Sequence, residues 1–252
     1  MIITVSNQKG GVGKTTTAAN LGVMLARHDR RVLVVDVDPQ FALTRQIGVE
    51  ERSLGLNLVD VLAGRAPATD AIARDIHGVD VIAAAPALAG IEMSLVSELG
   101  REHFLRDALE PVLVDYDDVV IDTPPNLGLL TVNALLVAEV VLAPVSAEDD
   151  ASLHGIRELR HTLQRLAERL GSPAPELVAV LTRWAPQRIS SRTIEETLAC
   201  EGLTPAARIP ARSALFVRAA RNGVPLAICG PDSSPALAYQ RLADQFAGAS
   251  AR

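Results

Sequence analysis

Gln8-Lys9-Gly10-Gly11-Val12-Gly13-Lys14-Thr15-Thr16-Thr17 lies between two different periodicities in this 252-residue chain. Before it runs the apolar segment Ile2-Ile3-Thr4-Val5; after it, Ala18, Ala19, Leu21, Met24 and Leu25 recur with helical spacing, so the loop joins a strand to a helix. A phosphate-binding loop requires that context. Gly10, Gly11 and Gly13, with Val12 between them, let backbone N–H groups curl around an anion without Cβ clashes, and the start of the following helix adds its positive dipole end. In this motif Lys14 reaches the β- and γ-phosphates and the Thr15 hydroxyl ligates Mg²⁺.

The pattern G-x-x-x-x-G-K-[ST] would place glycine at position 8, where the chain has Gln8, and a second lysine, Lys9, stands at the head of the loop. These are the chain's two lysines, against twenty-two arginines. A guanidinium is wide, planar and forked and does not substitute for a compact ammonium in a tight phosphate nest. Lysine kept here alone, with a strand before and a helix after, argues against a merely solvated Gly/Lys turn.

With 48% hydrophobic residues the chain has ample material for a large core, and with aromatics at 3% that core is built of Leu, Val, Ile and Ala, as suits helices packed on a parallel sheet. Cys200 and Cys229 are too few and too far apart for a CxxC metal or redox pair and imply no disulfide framework. Met1 leads directly into a strand, with no basic n-region and apolar h-region, and no apolar run has the length of a membrane span, so a cytoplasmic protein is expected. A formal charge of −6 argues against a uniformly basic nucleic-acid binder, though not against a local basic face.

Further along, Arg31 to Val37 (RVLVVDV) reads as a buried parallel strand ending in Asp36-Val37-Asp38-Pro39-Gln40, and Val119-Val120-Ile121-Asp122 as another closing on an aspartate, followed by Thr123-Pro124-Pro125. Leu54 to Leu62 and Thr69 to Ile76 read as short helices, Val79 to Ala83 as a strand, and Glu92 to Leu113 as helix with a break near Gly100. Then come helix at Leu127 to Val137, strand at Val140 to Val145, helix at Ala151 to Leu170, strand at Leu177 to Thr182, helix at Ser190 to Cys200, strand at Ala207 to Ile209 and helix at Ala236 to Ala247. The alternation predicts an α/β fold, a doubly wound and mostly parallel sheet flanked by helices, with residues 1–252 forming a single P-loop domain.

Ligands of such sheets gather at the carboxyl ends of the strands, which puts the aspartates beside the loop. Asp122 fits the role of holding Mg²⁺ through water. Asp36 and Asp38 are two apart, so on an extended strand both face the same way. An aspartate after a strand can equally cap the next helix, and for Asp36 both readings stand.

KGGVGKTTT, VDVDPQ and VVIDTPP, in this order and spacing, resemble the ParA/Soj members of the deviant Walker A ATPases, the family that includes MinD. The resemblance spans nearly the whole chain and implies an ATPase using ATP and Mg²⁺. It implies that Lys9 crosses a nucleotide-sandwich homodimer to the partner's phosphates, and that Lys14, Thr15 and Thr16 contact phosphate and Mg²⁺. It further implies that Asp38 orients the attacking water and that Asp36 and Asp122 support Mg²⁺. By the same resemblance, base recognition falls to Thr182-Arg183 and Ile209-Pro210. At Arg183 to Arg188 (RWAPQR) the chain departs from relatives that carry an Asp and an Arg close together.

The implied function is a switch for chromosome or plasmid partitioning: ATP closes the dimer, the dimer binds double-stranded DNA without sequence preference on the nucleoid, and a ParB-like partner stimulates an otherwise slow hydrolysis. Relatives position carboxysomes or chemoreceptor arrays by the same cycle. A MinD-like membrane cycle requires a basic amphipathic C-terminal helix, whereas Leu237 to Ala247 carries one Arg and one Asp, so no membrane partner is expected. Iron-sulfur relatives would need placed cysteines, and a metabolic ligase on the same loop would have no use for Lys9. Since the first strand starts at Ile2, no operator-reading extension is expected.

Between Arg183 and Arg221 seven arginines face three glutamates, a local charge of +4 that leaves −10 for the remainder. Arg188 and Arg192 are four apart and Arg218 and Arg221 three apart, so each pair shares a face if helical, which makes these four the expected DNA contacts. The plainer reading is solvated arginines, some paired with the nearby glutamates.

Overall fold

The computed structural model describes residues 1–50, 55–171 and 173–249. Its spine is an eight-stranded sheet in the order β3-β4-β2-β5-β1-β6-β7-β8. The strands are β1 (Ile2–Val5), β2 (Val32–Asp36), β3 (Ile72–Ile76), β4 (Val79–Ile82), β5 (Asp118–Asp122), β6 (Val140–Ser146), β7 (Glu176–Trp184) and β8 (Ala207–Pro210). All neighbours run parallel except β3, which lies antiparallel on β4 at one edge.

Burial on both faces explains the continuous apolar runs. Val32 and Val34 of β2 turn to one core with Ile3, Val5 and Val120, whereas Leu33 and Val35 turn to the other with Val119 and Ile121. The first face is covered by α1 (Lys14–Ala26) and α11 (Ser234–Ala249), the second by α3 (Leu58–Leu62), α5 (Phe104–Leu113) and α6 (Leu129–Val137). Helices α7 (Ala151–Leu170) and α8 (Ile189–Cys200) cover β6 and β7 through a third cluster around Val141, Leu181 and Ile156. Helix α1 comes so close to β2 that a Cβ on Gly22 would lie 2.7 Å from Val34.

Pro144 sits inside the central strand β6, where a missing N–H would normally break a ladder. It is tolerated because β6 pairs with β1 only as far as Leu142, and the Pro144 carbonyl accepts instead from the Asn7 side chain at 2.8 Å.

The doubly wound reading holds, and one predicted element is corrected. Thr69 to Ile76 is not a helix but a 3₁₀ turn (Ala68–Ala71) followed by the edge strand β3. Ile72 packs against one core and, past a bulge between Ala73 and Ile76, Ile76 packs against the other, and His77 and Gly78, both at positive φ, form a two-residue hairpin turn into β4. The helix expected from Leu54 starts at Leu58 behind an Asn57-Asp60 capping box, and Leu54 itself lies outside the described residues. Three short elements carried no expectation: α2 (Ala42–Gln46), α9 (Ser213–Asn222) and α10 (Leu226–Cys229), while α4 (Leu88–Leu95) begins before the predicted Glu92. Among the described residues no helix is long and apolar enough to cross a membrane.

Candidate nucleotide-binding site

The loop after β1 opens at the carboxyl edge of the sheet, into a cavity of about 640 Å³, within the size range of small-molecule sites. Gly10, Gly11, Val12, Gly13, Lys14, Thr15 and Thr16 form its floor. Gly11 and Gly13 hold φ of 75° and 96°, a region closed to most side chains, and a Cβ on Gly10 or Gly11 would meet no atom within 4 Å, leaving room over the loop for a phosphate. The loop is buttressed from three sides. Asn7, fully buried, accepts from the Lys9 N–H at 2.9 Å while donating to Pro144. The Thr182 hydroxyl donates to the Val12 carbonyl at 2.8 Å, and helix α7 presses in at Gly155, where a Cβ would come within 2.2 Å of the Asn7 oxygen.

The two lysines sit in different surroundings. Lys14 is buried, donates to the Lys9 carbonyl at 3.2 Å, and has its pKa lowered by desolvation, a shift opposed by Asp122 and Asp38. Lys9 is 42% exposed and its ammonium lies 3.5 Å from Asp149 at the head of α7. Glu148, next to it, pairs with both Arg183 and Arg188. An acid-arginine cluster is thereby assembled by tertiary contact where Ala185 and Gln187 lack it locally. Arg183, at φ 52° within a bulge of β7, also donates to the Gly11 carbonyl at 3.1 Å, so its head points to the phosphate loop.

Three aspartates stand beside the loop. Strand β2 ends at Asp36, so the alternation does not continue to Asp38: Asp38 lines the cavity, and Asp36 lies beneath it, fully buried. Asp36 and Asp122 are register partners on β2 and β5. Burial pushes Asp36 up to about 6, against the pull of its hydrogen bonds from Thr44 and Asp38. Burial, and then repulsion from Asp36, pushes Asp122 well above the usual carboxylate range; the Thr15 hydroxyl and Lys14 pull it back. Neither Asp122 oxygen has a hydrogen-bond partner of good geometry among the described residues. A buried carboxylate with empty lone pairs beside a threonine hydroxyl and a lysine suits a Mg²⁺ ion with its waters, which needs one or two carboxylates plus phosphates rather than a protein cage. The residues fit Mg²⁺ and a nucleoside phosphate, with Thr15 and Asp122 toward the ion.

An uncompensated carboxylate destabilises the ligand-free fold by about 1–3 kcal/mol. Because the folded Asp122 pKa is raised, its stabilising contribution is greatest at acid pH and is lost as pH rises through the folded value. Asp122→Asn is therefore expected to raise the melting temperature without nucleotide at neutral pH, by roughly 5 °C, with the gain shrinking on acidification. The variant should also lose most of the extra stabilisation that Mg-ATP gives the parent. Thermal scans at several pH values check this, and a variant less stable at neutral pH without nucleotide would remove the orphan-carboxylate account.

The far end of the cavity is lined by Ile209, Ala211, Arg212, Phe216 and Val217, with Tyr239 beneath, its hydroxyl 3.2 Å from that of Thr17. Ile209 and Ala211 flank Pro210, which is not itself among the lining residues. Phe216 and Val217 went unread because α9 carries no motif, although one of four phenylalanines beside an arginine run was a usable signal. The acidic run Glu148-Asp149-Asp150 after β6 was a further strand end of the kind that singled out Asp36 and Asp122.

The expected DNA contacts are spread. Arg188 precedes α8 with extended backbone and turns back to Glu148, so it does not share a helical face with Arg192. Arg208 pairs with Glu195. Arg192, Arg218 and Arg221 are exposed and make no ion pair among the described residues. On α9, Ser213, Phe216 and Val217 face the cavity while Arg218 and Arg221 face outward.

A family model described as an AAA domain matches residues 1–173. The sporulation initiation inhibitor protein Soj of Bacillus subtilis (strain 168) is 38% identical over 248 residues, covering 98% of each chain. The chromosome partitioning protein ParA of Caulobacter vibrioides (strain NA1000 / CB15N) is 41% identical over 192 residues, 75% of this chain and 71% of that protein. Among solved structures, cobyrinic acid a,c-diamide synthase from Mycobacterium smegmatis with bound ATP analog and magnesium superposes with a TM-score of 0.85 at 32% identity, covering 100% of this chain and 96% of that one. Glycine cradle, paired lysines and acidic strand ends, at this identity over this length, make the chain a member of the ParA/Soj family of P-loop ATPases.

Proposed function

We propose that the protein is a partitioning switch driven by Mg-ATP. ATP binding closes a homodimer across Lys9, the closed dimer holds duplex DNA of the nucleoid through exposed arginines, and a ParB-like activator resets it by stimulating a slow Mg²⁺-dependent hydrolysis in the cytoplasm. The observation that carries this reading is the contrast between the two lysines: Lys14 is buried in its own cradle, while Lys9 is half-exposed and tethered by one surface ion pair, free to reach a second chain's phosphates. Lys14, Thr15 and Thr16 hold the phosphates, Thr15 and Asp122 the ion, and Asp38 the attacking water. Arg183 and the Ile209-Pro210-Ala211 turn stand at the nucleotide's flank.

The Caulobacter relative's name, a chromosome partitioning protein, supports chromosomal DNA as the cargo. The amide-forming synthase neighbour is 32% identical, against 38% for Soj over nearly the same length, which favours the switch. A membrane cycle is disfavoured because α11 commits Tyr239, Leu242, Ala243 and Phe246 to the core, so that among the described residues of α11 Leu237 is the exposed large apolar side chain.

DNA affinity tests the reading. Parent protein with ATP is expected to bind random-sequence duplex at low salt and not without nucleotide, because a dimer doubles the few phosphate contacts of a monomer. Arg192→Glu or Arg218→Glu should lower the slope of log affinity against log salt by about 2, one contact per protomer, with ATP binding intact. Fluorescence anisotropy of a labelled duplex over a salt series measures both. No duplex binding in saturating ATP at low salt, or an unchanged slope in both variants, would leave the proposed switch without its track.

A further inference from the structure

Asp36 and Asp122 are neighbours in register, alike in residue type and burial, yet their oxygens are occupied differently. Those of Asp122 have no hydrogen-bond partner of good geometry among the described residues, with the Thr15 hydroxyl nearby. Asp36 Oδ1 accepts from the Asp38 N–H at 3.1 Å, and its Oδ2 accepts from both the N–H and the hydroxyl of Thr44, at 2.9 and 2.7 Å. Thr44 is fully buried, and while its hydroxyl donates to Asp36 it accepts from the Ala84 N–H at 3.1 Å. From the turn so pinned, Asp38 reaches the cavity, its own Oδ1 accepting from the Gln40 N–H at 2.9 Å. Helix α2, which carries Thr44, also carries Gln46, whose Nε2 donates to the Thr16 hydroxyl in the phosphate loop's helix at 3.2 Å.

We infer that Thr44 and Asp36 are positioning residues for hydrolysis: they clamp residues 36–44 so that Asp38 is aimed at the water site, and Asp36 is not a ligand of Mg²⁺ or of its waters. A carboxylate serving three donors with both oxygens has little capacity for a metal-bound water, whereas its orphan neighbour has all of it. Only a hydroxyl meets both demands at position 44. Valine has the same shape but can neither donate to Asp36 nor accept from Ala84, leaving one acceptor short and one buried N–H unpaired. Gln46 ties the clamp to Thr16, so one short helix spans the phosphate side and the water side of the site. The inference rests on Asp38 being the water-orienting group, as proposed above.

The experiment compares Thr44→Val, Thr44→Ser, Asp36→Asn and Asp122→Asn with the parent and with Asp38→Ala. For each, kcat is measured with ATP, affinity with a fluorescent non-hydrolysable ATP analogue over a Mg²⁺ titration, and amide hydrogen exchange across residues 37–47. Thr44→Val is expected to lower kcat about tenfold or more with analogue affinity within about twofold, and to speed exchange in the clamp by about tenfold; Thr44→Ser restores both. Asp36→Asn should likewise lower kcat and speed exchange, because its amide N–H₂ opposes a donor, yet keep the parent's Mg²⁺ half-saturation. Asp122→Asn should shift that half-saturation about tenfold. If Asp36→Asn moves the Mg²⁺ requirement as far as Asp122→Asn does, Asp36 serves the metal and the inference falls. If Thr44→Val keeps the parent's kcat while Asp38→Ala is inactive, the clamp is wrong and the Asp38 role stands. If Asp38→Ala keeps the parent's kcat, the Asp38 role is what fails, and exchange with the Mg²⁺ titration still decides the clamp. Should Thr44→Val not fold, Thr44→Ser and Asp36→Asn carry the same comparison.

Discussion

Asp38→Ala is expected to bind ATP and to dimerise as the parent does while turning over about 10²-fold or more slowly, the usual size of a lost acid-base or water-orienting group. Asp38 lines the cavity opposite the phosphate loop, is 8% exposed, and commits one oxygen to the Gln40 N–H, leaving the other for a water. A carboxylate that orients the nucleophile acts in the transition state and contributes little to ground-state binding, so kcat falls and nucleotide affinity does not. Removing its negative charge from the vicinity of the γ-phosphate should leave ATP bound at least as tightly. Single-turnover hydrolysis, run with and without the stimulating partner, measures the effect alongside analogue affinity. An unchanged rate under both conditions would remove the water-orienting role from Asp38 and leave Asp122, whose oxygens are open, as the candidate.

The second large effect belongs to Lys9. Its ion pair with Asp149 joins two half-exposed side chains, a class worth about 0–1 kcal/mol, so releasing the ammonium to another chain's phosphates costs little. In a two-fold dimer the contact is made twice. At about 1.5–3 kcal/mol for each charge-assisted hydrogen bond, Lys9→Ala should weaken ATP-dependent dimerisation by about 10²-fold or more. Monomer affinity for ATP should be largely kept, since the buried Lys14 serves its own site. Lys9→Arg is not expected to rescue, because the forked guanidinium does not fit where one compact ammonium does. Sedimentation velocity with a non-hydrolysable analogue reads the outcome, and a Lys9→Ala protein that dimerises like the parent would end the sandwich assignment.

The sheet was legible in the chain because parallel strands buried on both faces are written as uninterrupted apolar runs, and residues 32–36, 118–122 and 140–146 are such runs. The phosphate loop was legible for a related reason: its requirements are local, with glycine where φ turns positive and lysine where a compact cation is needed. Elements shorter than two helical turns, such as α2 and α10, have too few residues to show a period, and β3 passed for helix because it is five residues long and a bulge between Ala73 and Ile76 breaks its alternation. The arginine face was legible as charge but not as availability, since pairing decides that: Glu148 takes Arg188 and Glu195 takes Arg208, while Arg192, Arg218 and Arg221 stay exposed.

By itself, then, the sequence determined the architecture, the cradle and the set of acidic candidates, all properties of a residue's type and its near neighbours. Tertiary structure alone decided what each candidate is available to do. Asp36 and Asp122 close two apolar runs in the same way, but Asp36 meets Thr44 eight residues on, whereas neither Asp122 oxygen has a hydrogen-bond partner of good geometry among the described residues. Asn7 is placed by Pro144, 137 residues away, and Gly155 is required only because α7 packs onto the loop. Phe216 reaches the cavity because α9 packs against α2 and α10 and sets its apolar side on the shared core. The physical reason is common to these cases: the identity of a polar group is local, whereas whether its lone pairs are filled depends on which distant backbone the packing brings within 3 Å.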